Sequence, residues 1–158
     1  MHRCVKADDV PMWRPPAAIR PIALAVIRSK GRILVFKGTD AIKAEVFYRP
    51  LGGAIEFGES GESAVRRELR EEIGADVVNV RPLGTLENLF TYNGAPGHEI
   101  VLLFEADLQD AATYEVEEFA GLEANGDALA VMWKPLIDFR GSDRLYPEGL
   151  IALLDSDR

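Results

Sequence analysis

Between Gly52 and Ala75 the chain reads GGAIEFGESGESAVRRELREEIGA, and this stretch restricts the fold more than any other. Ser60 is a good N-cap, Glu62 places negative charge in the first turn, and Gly74 stands where a helix commonly ends in a left-handed residue. The spacing therefore predicts a helix over Gly61–Ile73. On a helical wheel with Glu68 at zero, Glu72 falls at about 40° and Glu71 at about −60°, while Val65, Leu69 and Ile73 fall at about 60°, 100° and 140°. Such a helix docks by its apolar residues and lays three carboxylates along the border of the buried face.

That arrangement carries an electrostatic problem. Like charges one helical turn apart repel, and the edge of a core strengthens the repulsion and makes ionisation costly. A solvated acidic helix, stitched by Arg66, Arg67 and Arg70, is the bland solution. A divalent cation is the other, and two features favour it. The acids recur one turn apart on a single stripe, and Gly52, Gly53 and Gly58 form a loop that lets backbone approach a ligand closely. Magnesium suits a half-open set of hard oxygen donors because it keeps several waters and shares its shell with substrate phosphates. Arg67, four residues before Glu71, is placed to pair with it and fix its orientation.

The rest of the chain is rich in strand patterns. Ile22, Leu24 and Val26 alternate with small residues, Ser29 to Arg32 offers a turn, and Ile33 to Phe36 reads as the returning strand of a hairpin. Val46 to Tyr48 is a third short strand leading into Pro50. Val77 to Val80 and Thr85 to Tyr92 are β-rich, and Asn93 to Gly97 supplies a turn before a strand over His98 to Ala106. Met132 and Trp133 belong to a further strand, and Pro147 to Leu154 reads as a closing helix. The order predicts an α+β fold with helices packed on a mixed sheet. Residues 1–17, interrupted by Pro11, Pro15 and Pro16, read as an irregular lead-in, and 18–158 as one domain.

Composition narrows the function. The 26 acidic against 18 basic side chains give a net charge of −8, which argues against grip on a long nucleic-acid backbone. Apolar runs fall far short of the ~20 residues of a membrane span, and the charged, proline-bearing N-terminus is unlike a secretory signal, so the expected location is cytoplasmic. Cys4 cannot form an internal disulfide, being the only cysteine, and with His2 supplies too few ligands for zinc.

The acidic stretch closely resembles the signature box of the Nudix hydrolase family: Gly53, then Glu59, Arg67-Glu68-Leu69, Glu71-Glu72, Gly74 and Ala75 fill its positions, with only the small Ala75 a soft match. One departure lies upstream, where Leu51 intervenes between Pro50 and the two glycines. The resemblance implies a mixed sheet between helices. It also implies magnesium- or manganese-assisted hydrolysis of a diphosphate linkage in a nucleoside diphosphate joined to another group X, such as a nucleotide sugar, a dinucleoside polyphosphate or a nucleoside triphosphate. Carried over by position, Glu68 and Glu72 are the principal metal ligands, Glu71 assists, the Gly53 carbonyl completes a site, and Glu59 and Arg67 hold the box together. The general base is a box glutamate, Glu68 or Glu71, or one from a later loop, where Glu117, Glu118 and Glu123 stand. A Nudix-fold sensor without turnover and an allylic diphosphate isomerase are the rival activities.

Outside the box, Arg49 is placed to reach a substrate phosphate. Tyr92 reads as an aromatic at a strand end, with base stacking as the functional alternative. His98 shares a strand face with Ile100, Leu102 and Phe104 and reads as structural, and Trp133 as core. The group X is chosen by residues beyond the box, and a homodimer is compatible with that choice.

Overall fold

The computed structural model describes residues 12–123 and 125–156, so Cys4 and His2 lie outside the described residues. In chain order the strands and helices are β1 (Ile19–Val26), β2 (Arg28–Ser29), β3 (Arg32–Asp40), β4 (Glu45–Ala54), α1 (Gly61–Ile73), β5 (Val77–Tyr92), β6 (Ala95–Leu108), β7 (Glu118–Leu122), β8 (Ala128–Pro135) and α2 (Leu150–Ser156). Short 3-10 turns occupy Ala111–Glu115 and Leu136–Arg140. The strands form one mixed sheet in the order β5-β6-β1-β4-β3-β8-β7, with β2 appended to β3. Among the described strand pairs β1 and β6 run parallel, and the other pairs are antiparallel.

Two apolar layers, one on each face of the sheet, make this the α+β sandwich that the pattern of elements predicts. Ala64, Val65 and Leu69 of α1 pack with Ala23, Ala25, Leu51 and Phe104, while Leu150 and Leu154 of α2 pack with Ile22, Leu24, Val101 and Leu103. Alternation along β1 sends successive side chains into opposite layers, so the strand is buried on both sides. The helix α1 has the predicted bounds because its ends are locally specified. The Ser60 hydroxyl accepts the Ser63 N–H, and Gly74, with φ of 66°, closes the last turn onto the Arg70 and Leu69 carbonyls.

Several strand expectations change. The first hairpin is confined to β2 and β3, where Arg28 faces Ile33, whereas β1 pairs with β4 and β6. The third strand is ten residues long and carries through Pro50 and both glycines. It faces β3 up to Pro50 and β1 from Leu51 onward, so the proline, lacking an N–H, sits at the handover between neighbours. Val77 to Tyr92 is one strand with irregularities near Asn79 and Leu83, not two. Its turn is only Asn93-Gly94, both at positive φ, and Ala95 to Gly97 already belong to β6. The closing helix begins at Leu150, because the Leu150 N–H turns back onto the Pro147 carbonyl and Pro147 to Gly149 form a turn. The strand β7 had no counterpart in the sequence pattern, and it places Glu118 in the sheet and not in a loop. No helix of the described chain is long and apolar enough to cross a membrane.

Candidate active site

The glycines at the end of β4 set how closely the acidic helix approaches the sheet. Gly52 adopts φ of 146°, and a Cβ there would fall 2.1 Å from the Ala23 carbonyl oxygen. A Cβ on Gly53 would fall 2.5 Å from Glu68 Oε1. Glycine at both positions therefore lets α1 press its carboxylates against the backbone of β4. A cation bound by Glu68 would find the Gly53 backbone beside it.

Arg67 ties the loop to the helix. Its Nε and Nη2 donate to the two oxygens of Glu59 at 2.8 and 2.9 Å, and Nη2 also reaches the Ala54 carbonyl at 3.0 Å. Its Nη1 donates to Glu68 Oε1 at 2.9 Å and Glu71 Oε2 at 3.2 Å. Glu59 also accepts the Glu56 N–H at 3.2 Å. The Arg67 hydrogen bonds hold the Glu59 carboxyl below its ordinary range, and the Glu59 contact in turn holds the Arg67 guanidinium still more firmly charged.

Glu72 behaves differently. Burial, followed by the charge of Glu68 and a hydrogen bond with it, pushes its pKa up to about 9, although the Gly52 N–H and the Arg49 charge pull the other way. Its Oε2 is buried without a hydrogen-bond partner. Two carboxylates competing for one position, an orphaned oxygen and a glycine cradle fit a hard divalent cation, which would take the place of the proton. Glu71 stands outside this pair: its side chain is half exposed and turned to Arg67. Among the described residues no three His, Cys, Asp or Glu side chains converge as a group that could hold a metal ion, so the carboxylates brought together are the pair Glu68 and Glu72.

A cavity of about 890 Å³ is lined by residues that include Arg49, Tyr92, Glu99 and Glu123; none of the box acids is in its lining, and Arg49, whose charge acts on Glu72, links it to the acidic pair. Four rings, in the order Trp13, Tyr92, Phe47 and Tyr146, make a continuous aromatic wall, with successive centroids 5.3 to 5.9 Å apart. Tyr92 thus ends its strand, as expected, and also faces the cavity, with its hydroxyl donating to the Thr39 carbonyl at 3.0 Å. Arg49 is bound to Glu99 by Nη2 at 2.8 Å and Nη1 at 3.4 Å.

The three later glutamates separate. Glu123 lines the cavity, and burial followed by the Asp127 charge raises its pKa. Glu117 is exposed and paired with Arg32, and Glu118 is an exposed strand residue. His98 lies on β6 between Ile19 and Leu89 and meets Glu87 at 3.5 Å, away from the cavity lining. Trp133 is core, stacked on Tyr114. The sequence reading missed Glu99 and most of the aromatic wall. Glu99 had a visible signal, since it shares its alternation with Val101 and Leu103 and so puts a charge on an apolar face.

The model of the NUDIX domain family matches residues 18–148. Among solved structures, a MutT NUDIX hydrolase from Burkholderia pseudomallei is 25% identical, with 87% of this chain and 97% of that chain covered and a TM-score of 0.63. A NUDIX hydrolase from Nitrosomonas europaea is 17% identical over 89% of this chain and 88% of that one, with a TM-score of 0.62. A NUDIX-family hydrolase from Clostridium perfringens is 18% identical over 88% and 98%, with a TM-score of 0.58. With the box acids seated on a glycine cradle, the chain belongs to the Nudix family and is a pyrophosphohydrolase of that type.

Proposed function

We propose that this enzyme hydrolyses a phosphate anhydride in a small molecule that joins a nucleoside diphosphate to a further group, with magnesium or manganese held by Glu68 and Glu72. The Gly53 carbonyl would complete the donor set, and Glu71, which is turned to Arg67, would assist only by swinging away from that contact. The observation that carries this reading is the Glu68–Glu72 pair, with Glu72 pushed up to about 9 and its Oε2 without a partner. When bound, the cation shields the phosphates and lowers the pKa of the attacking water. The protein's own groups do the remaining work. Arg67 keeps Glu59, Glu68 and Glu71 in one orientation, Arg49 reaches a phosphate, and the wall of Trp13, Phe47, Tyr92 and Tyr146 receives the planar base. A box glutamate, Glu68 or Glu71, takes the proton of the water; Glu123, across the cavity, is the second choice.

In this reading the enzyme works in the cytoplasm, and a homodimer is compatible with it. The test is a screen for phosphate and nucleotide release with magnesium, against nucleotide sugars, dinucleoside polyphosphates and nucleoside triphosphates. Metal-dependent release from one class is expected. Binding without turnover would mark a sensor, and rearrangement of an allylic diphosphate without release would mark an isomerase.

A further inference from the structure

Glu99 is 1% exposed and is the one charged residue among the largest fully buried side chains of the described chain. Its oxygens meet Arg49 at two points, and the pair lies in the cavity wall. A buried ion pair is a poor stability device, because desolvation offsets most of its attraction and apolar residues of similar volume do as well. What it does supply is a fixed orientation for a guanidinium on a long, flexible stem.

The two arginines near the acidic pair differ in what they have left to give. Arg67 distributes its donors over Glu59, Glu68, Glu71 and the Ala54 carbonyl. Arg49 gives one N–H from each Nη to Glu99, while its Nε is buried with no acceptor in the protein. Each Arg49 Nη keeps one N–H beyond its bond to Glu99, so of these two guanidiniums Arg49 has donors to spare for a ligand oxygen, the buried Nε not among them. Arg49 is also four residues ahead of Gly53 on β4, close enough for its charge to act on Glu72.

We infer that Glu99 is a positioning residue: it holds the Arg49 guanidinium in the wall of the aromatic cavity, with the remaining Nη N–H groups presented to a substrate diphosphate. This rests on the proposed phosphate-anhydride substrate, but it can be tested without turnover.

The probe is methylenediphosphonate, a pyrophosphate analogue with no hydrolysable bridge, titrated calorimetrically in magnesium buffer. The proteins are the wild type, Glu99→Gln, Arg49→Ala and the double variant. Glu99→Gln should bind the probe about tenfold more weakly, Arg49→Ala at least as weakly, and the double variant no more weakly than Arg49→Ala, since Glu99 acts through Arg49. Hydrolysis of the substrate class that the screen identifies should show the loss in KM more than in kcat. Should Glu99→Gln fail to fold by circular dichroism, Glu99→Asp replaces it, with a smaller loss of the same kind. The inference is overturned if Glu99→Gln keeps wild-type affinity, if its loss persists in the Arg49→Ala background, or if the wild type does not bind the probe. Intact probe binding with the predicted cycle but no turnover across the substrate screen would support the inference and count against the hydrolytic assignment instead.

Discussion

A guanidinium offers five N–H groups, and at Arg67 they link the β4 end, the connecting loop and α1 in one network. Lysine has the charge but not the planar fork, so Arg67→Lys should lower kcat/KM by about 10- to 100-fold, with only a small change in Tm. A steady-state assay beside a thermal melt checks both. At Gly53 the argument is steric: Gly53→Ala would drive a methyl group into the Glu68 carboxylate. It should abolish the response to magnesium, read as a lost thermal shift. Glu72→Gln should abolish turnover and leave the circular dichroism spectrum unchanged; near-normal activity would remove Glu72 from the proposed cation site. Arg67 and Glu72 could be singled out in the sequence because spacing on a helix fixes direction, and Gly53 because the box fixes its distance from that helix. The burial of Glu99 left a trace in the alternation of its strand, but its partner did not, and neither did that of Phe47, since which neighbour a strand residue faces is set by pairing over distances of about 50 residues.

The same division holds for whole elements. The helix α1 has its cap, its first-turn acid and its terminal glycine within a few residues of one another, so its bounds could be read locally. The sheet could not be read that way. The partners of β1 are β4 and β6, although the chain between β1 and β3 turns in a way that suggests a simple hairpin. The strand β7 is short and mostly exposed, and without an apolar repeat it leaves little trace in the sequence. Local caps should also act locally. Ser60→Ala removes the acceptor for the Ser63 N–H and should cost about 1 kcal/mol. For a domain of this size that is a Tm decrease of about 2–4 °C, to be measured by calorimetry, with the metal response retained.

Across the whole molecule, protons, cation and stability are linked through Glu72. Its pKa is raised in the folded state from 4.5 to about 9, so the folded protein binds more protons than the unfolded chain between those values. Metal-free stability is therefore complete on this account below about pH 4.5 and declines as pH rises towards 9. Glu59, held low by Arg67, works in the opposite sense, contributing above 4.5 and losing its contribution as pH falls. Together these two groups place the peak of their summed contribution to metal-free stability near pH 4.5. A cation that displaces the Glu72 proton binds more tightly as that proton becomes easier to remove, and at a hundredfold excess over its Kd it adds about 2.7 kcal/mol. The magnesium-induced rise in Tm should consequently grow from pH 6 to pH 8.5. In Glu72→Gln the metal-free protein should be more stable than wild type at pH 8.5, and the magnesium increment should vanish. Thermal melts of both proteins at the two pH values, with and without magnesium, make the comparison; an increment that is independent of pH, or that survives in Glu72→Gln, would place the cation elsewhere.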